Sequence, residues 1–130
     1  MSKYYFSKEL SIDFDNAIQL VKDNLSKIGF GVVSEIDVTN TFKNKLNLDF
    51  RKYRILGACH PQTAFKALSV ENKIGTMLPC NIIVQELDNG NIEIAAIDPI
   101  ESMKAVENKE LYPLALEIQN ILKDFIENKI

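Results

Sequence analysis

The sequence predicts an α+β domain, and three observations carry that expectation. Apolar residues recur at every second position in some segments and at three- and four-residue steps in others. Asp88-Asn89-Gly90-Asn91, set between two apolar runs, is a hairpin signal. The order strand, helix, strand, short helix, strand, helix, hairpin, helix lacks the regular βαβ alternation of an all-parallel sheet. With 130 residues and no linker, repeat or low-complexity tract, a single domain over residues 1–130 accounts for the chain.

Tyr4, Phe6 and Leu10 alternate as a first strand with one buried face, interrupted by Lys8. Phe14, Ala17, Ile18, Val21, Leu25 and Ile28 then form a helical stripe, with Ser11 or Asp13 as its cap and Gly29 as its stop. The second strand carries Phe30, Val32, Ile36 and Val38 on one side, and Gly31, Glu35 and Asp37 on the side facing water. Thr39 to Leu46 reads as a short helix, with Phe42 and Leu46 four apart.

From Tyr53 to Ala58 the chain is apolar apart from Arg54, which predicts a central strand covered on both faces and ending at Cys59. Pro61 suits the first turn of a helix, where its missing N–H costs nothing; Ala64, Phe65 and Leu68 face inward and the helix runs out near Val70 or Asn72. Ile82 to Val84 and Ile92 to Ile97 are the hairpin strands, with Asn89-Gly90 supplying the two positive-φ positions of a type I′ turn. Leu111, Leu114, Ala115, Ile118, Leu122 and Phe125 stripe a closing helix that tolerates Pro113 in its first turn.

Fifteen basic residues against eighteen acidic ones leave a net charge of −3, so no basic face for nucleic acid is expected. No segment has the ~20 apolar residues that span a bilayer. Met1-Ser2-Lys3-Tyr4-Tyr5-Phe6-Ser7-Lys8 lacks the apolar core of a secretory signal. The expectation is a cytoplasmic protein without a membrane partner, in which two cysteines are free thiols rather than a structural disulfide.

Those cysteines are the sharpest chemical feature. Cys59 falls at a strand-to-helix transition, where the N–H groups and dipole of the next helix favour a thiolate. Cys80 follows Pro79 at the start of a strand, again at an element boundary. Against a site stands the tendency of free cysteine to be a small buried apolar residue. No Cys-x-x-Cys occurs on either side, so any pairing comes from the fold.

His60, the sole histidine, adjoins Cys59, and Cys59, His60 and Cys80 with the Met103 thioether could ligate zinc or copper. Neighbouring residues on a strand point oppositely, which favours His60 as a helix-capping or solvent-facing residue. A cysteine nucleophile needs an orienting group; Asp98 is the one carboxylate in view, and Asp98-Pro99 is a common turn pair. Arg51, Lys52 and Arg54 beside Phe50 and Tyr53 could hold an anion, or form the solvated flank of a strand.

Taken together, Asp49-Phe50-Arg51, Tyr53, Ile55-Leu56-Gly57-Ala58-Cys59, Pro61, Leu78-Pro79-Cys80-Asn81 and Ala96-Ile97-Asp98-Pro99 resemble the domain-of-unknown-function family DUF302. Gly29-Phe30-Gly31-Val32 and Glu35-Ile36-Asp37-Val38 fit it as well. The resemblance implies a cytoplasmic domain of the TATA-binding-protein-like type, with a curved, mainly antiparallel sheet, helices on one face, and a homodimer. It implies no activity, and DNA binding by the fold's namesake does not transfer. His60 departs from the family pattern, where asparagine is frequent, which argues for a cap or hydrogen bond over a metal ligand.

The expectation for function is a non-catalytic or weakly catalytic binding module with a thiol-lined site at Cys59 and Cys80. His60, Asp98, Met103 and Arg54 are lesser contributors, and the ligand is a metal ion or a sulfur- or redox-active small molecule. The alternative is a structural or interaction homodimer whose cysteines are packing residues.

Overall fold

Asp13 accepts a 2.7 Å hydrogen bond from the Asn16 N–H and so caps the first helix. At its far end Gly29 takes φ +85°, which lets the Phe30 N–H reach back to the Leu25 carbonyl at 3.1 Å. These local signals place α1 (Phe14–Ser26) between β1 (Tyr5–Leu10) and β2 (Gly31–Asp37). The computed structural model describes residues 3–130; Met1 and Ser2, at the head of the expected domain, lie outside the described residues.

Asp37 caps α2 (Val38–Leu46), which leads to β3 (Tyr53–Cys59). Pro61 opens α3 (Pro61–Val70), followed by a 3₁₀ turn (Ile74–Met77) and the hairpin of β4 (Cys80–Glu86) and β5 (Ile92–Ile97). Asp98 caps a single helical turn, α4 (Pro99–Ser102), that the sequence pattern did not signal. The long α5 (Leu111–Asn128) closes the chain, with Pro113 in its first turn.

The strands form one antiparallel sheet in the order β1-β5-β4-β3-β2. α1 and α5 pack on the same face, over Leu56, Ile82, Val84, Ile94 and Ala96, all essentially solvent-free. The architecture is the expected α+β one, with helices on one side of the sheet. Among the described residues no helix is long and apolar enough to cross a membrane.

Several local expectations are corrected. A β-bulge between Val32 and Ser34 shifts the alternation of β2, so Val32 opposes Ala58 on the helix face while Ile36 opposes Ile55 on the outer face. β3 is covered by helices on one face only, because its partners leave the Ile55 side without a second layer. Tyr4 lies ahead of β1 and is exposed. Lys8, on the helix face, reaches the Ile130 main-chain oxygen at 2.8 Å, which accounts for a cation within an otherwise apolar alternation.

In α3 the buried residues are Thr63 and Ala67, whereas Phe65 points outward and Leu68 is partly exposed; small side chains let the helix approach α5 closely. The hairpin turn also differs. Only Gly90 has positive φ, the Gly90 N–H bonds the Leu87 carbonyl at 2.9 Å and the Leu87 N–H bonds the Asn91 carbonyl at 2.8 Å. This is a three-residue loop with glycine in the left-handed position, not a type I′ turn.

Of the two glycines in the sheet, Gly57 is the one without room for a side chain. A Cβ there would stand 2.1 Å from Ser34 Oγ and 2.6 Å from Pro79 Cγ, whereas one at Gly31 would meet nothing within 4 Å. Gly57→Ala is therefore expected to cost about 1–3 kcal/mol through overpacking, and Gly31→Ala far less. Urea unfolding of the two variants checks the contrast.

Candidate functional site

The apolar interior is not continuous. The main core runs from α1 across the sheet to α5, while Ala67, Ile74 and Leu111 form a second, smaller cluster with Leu78, Met103, Val106 and Leu114 around it. Between the two lies a cavity of about 300 Å³, open on one side, at the end of the sheet where β3 turns into α3 and β4 begins. Its size follows from small residues: Ala58, Ala64, Ala67 and Ala115 form walls that larger side chains would have filled.

Both cysteines line this cavity. Cys80 pairs with Ala58 across the β3–β4 ladder, and Cys59 is the next residue along β3. Strict alternation would send the two side chains to opposite faces, but the cavity wraps the end of the sheet and meets both. Cys59 is half-buried and Cys80 is buried, and both are free thiols. Burial, and secondarily the charge that Cys59 would carry, push the Cys80 thiol up to about 11. Cys80 is therefore a protonated, apolar wall residue at neutral pH and a poor metal ligand.

His60 lines the same cavity at the start of α3. Its Nδ1 is 2.9 Å from Thr63 Oγ1, and its ring packs on Phe30 with centroids 5.1 Å apart. Its Nε2 lies against Gly29, so near that a Cβ there would be 3.2 Å away. The histidine stands at the helix-cap position, but it bonds a side-chain hydroxyl instead of a backbone N–H.

Met103, just past α4, completes the sulfur-bearing wall. Among the described residues no three His, Cys, Asp or Glu side chains gather as a metal centre requires. The set Cys59, His60 and Cys80 with Met103 shares a cavity without forming a ligand shell.

Asp98 and Arg54 do not belong to the cavity. Asp98 is buried because it caps α4, accepting from the Ile100 N–H at 3.0 Å, and because Gln119 Nε2 of α5 donates to both its oxygens at 3.0 and 3.1 Å. It orients no thiol, which removes the carboxylate that a cysteine nucleophile would need. Arg54 pairs with Glu35 and lies 3.4 Å from Asp37. Lys22 of α1 holds Glu35 at 2.7 Å and, with Arg54 adding, keeps that carboxyl below its ordinary value. This network clamps α1 to the β2 edge.

Nearby, Arg51 stacks over Phe50 and Tyr53, with its carbon 4.4 and 5.5 Å from their centroids, and donates to Gln85 at 2.8 Å. The groove beside α2 mixes Lys43, Lys52 and Arg54 with Asp15, Asp37 and Asp49, so its charges offset one another.

Sequence reasoning found four wall residues, Cys59, His60, Cys80 and Met103, and missed Thr63, Ala58 and Ile118. The three-residue step from His60 to Thr63 was the one available signal, since a helix brings such pairs together. Alanines carry no chemical mark.

A family model described as "Domain of unknown function DUF302" matches residues 6–128. The crystal structure of an uncharacterized conserved DUF302 protein from Bacillus stearothermophilus superposes with a TM-score of 0.90 at 25% identity, covering 99% of this chain and 100% of that one. No curated protein matches the chain.

The raised Cys80 pKa carries a sign for stability. The folded state holds the thiol proton more tightly than the unfolded one, so the contribution is fully present below the ordinary value of 9.0 and is lost as pH rises towards about 11. The urea midpoint is expected to fall across this window more steeply in the wild type than in Cys80→Ala, by the equivalent of about 2–3 kcal/mol. Equal slopes would remove Cys80 as the buried titrating thiol.

Proposed function

This chain belongs to the DUF302 family, whose description assigns no activity, and from its own cavity we propose that it is a small-ligand binding protein with a thiol-lined site. One observation carries the reading: the cavity of about 300 Å³ is walled mainly by apolar, sulfur-bearing and small side chains and by no Asp, Glu, Lys or Arg. A cavity with such walls favours a compact, uncharged, mainly apolar molecule, because a charged one would lose its water without gaining a partner. Cys59 lies at the accessible side of the site and Cys80 deeper, so the thiols act as polarisable contacts, with Cys59 the one open to exchange or modification. The net charge of −3 favours a small molecule over a nucleic acid as partner.

A second reading, a homodimer meeting through the outer face of the sheet, has its own support. Ser7, Ala95, Ile83, Ile55 and Ile36 form a mainly apolar row across the five strands, and no helix covers it. Beside it Glu9, Glu93, Gln85 and Tyr53 form a row that is acidic at β1 and β5 and ends in the Arg51 guanidinium over Tyr53. A two-fold axis along the central strand, β4, would set each acidic end against the other copy's arginine.

Alkylation of Cys59 by iodoacetamide distinguishes the readings. Cyclohexanol, filling the cavity, is expected to slow the reaction several-fold in the wild type and to have no effect in Ala64→Phe, where the new ring occupies the space while thermal unfolding stays cooperative. Unprotected Cys59, together with a sedimenting dimer that Ile83→Glu splits into monomers, would favour the second reading.

A further inference from the structure

The walls of the cavity say more than that its occupant is apolar. Three side chains bring sulfur to it: the Met103 thioether and the Cys59 and Cys80 thiols. A fourth wall is the tilted ring pair of Phe30 and His60, with centroids 5.1 Å apart at 57°. Sulfur favours the edge of an aromatic ring by more than its buried area accounts for, and rings favour edge-to-face and offset contacts with other rings. An aliphatic chain gains nothing comparable from either wall.

Size sets the next limit. An apolar cavity of ~150 Å³ accommodates benzene, and this one is about 300 Å³. One polar edge is available, built from the Thr63 hydroxyl and His60 ring, 2.9 Å apart, with the thiols as weak donors. Such an edge suits a single N–H or hydroxyl on an otherwise apolar ligand.

We infer that the cavity takes an uncharged planar aromatic molecule of one or two fused rings bearing at most one hydrogen-bonding group. This inference rests on the cavity being a ligand site and adds the ligand's class. Met103 is the residue that selects for the ring, by laying its sulfur against the ring edge, and the small-residue walls leave the space the ring fills.

The test compares indole and 2-naphthol with 1-octanol and cyclooctanol, titrated into the full-length protein. Binding is read from protection of Cys59 against iodoacetamide and from the carbon-13 resonance of the Met103 methyl group. The aromatic probes are expected to bind more tightly than the aliphatic ones and to shift the Met103 methyl upfield through the ring current. Met103→Leu, which keeps the volume, is expected to weaken the aromatic probes by about twofold to tenfold and leave the aliphatic ones unchanged. Aliphatic probes that bind as tightly as aromatic ones would overturn the ligand class while leaving the site itself standing. Protection by neither class would overturn both.

Discussion

Two helices on one face of a five-stranded sheet create the constraint on which the rest of the structure depends. The residues that α1 and α5 bury on β3, β4 and β5 are apolar and almost without solvent, with Leu56, Ile82, Val84, Ile92 and Ile94 the largest. At the ends of the strands this layer stops. The chain must still satisfy the start of α3, the break before β4 and the exit of β5, and it does so with alanines, prolines and a threonine. A second apolar cluster forms there around Ile74 and Leu111, but its side chains are too far from the main core to merge with it. The cavity is what remains between a full core and a satellite one. Interiors elsewhere pack to crystal density, so an unfilled, sulfur-lined space at the element boundaries is the unusual part of this fold.

The same constraint explains the division of labour among the polar groups. Ion pairs gather at the β2 edge, where Lys22, Glu35, Arg54 and Asp37 tie α1 down. Asp98 and Gln119 tie α4 to α5. Both networks are structural, and both stand away from the thiols, so no Asp, Glu, Lys or Arg lines the cavity with Cys59 and Cys80. Burial in such surroundings keeps Cys80 protonated.

Much of the fold was legible in the sequence because local chemistry announced it. Asp13 and Gly29 bounded the first helix, Pro61 and Pro113 marked first turns, and Asn89-Gly90 marked a hairpin. The misses over which way a side chain faces share a cause: each depends on a partner distant in sequence. Val32 and Ile36 part company because β2 bulges against β3. Phe65 turns outward because α3 needs small residues against α5. Within the site, the marked side chains Cys59, His60, Cys80 and Met103 do come together on one cavity. The ladder that brings β4 beside β3, and the alanines that leave the space open, carried no signal at all.

The most direct measurement is a crystal of this protein held under xenon. Xenon enters dry apolar cavities and ignores wet or collapsed ones. A strong xenon peak between Cys80, Met103 and Ile118 is the predicted result. An empty map there would contradict the account of an apolar ligand cavity.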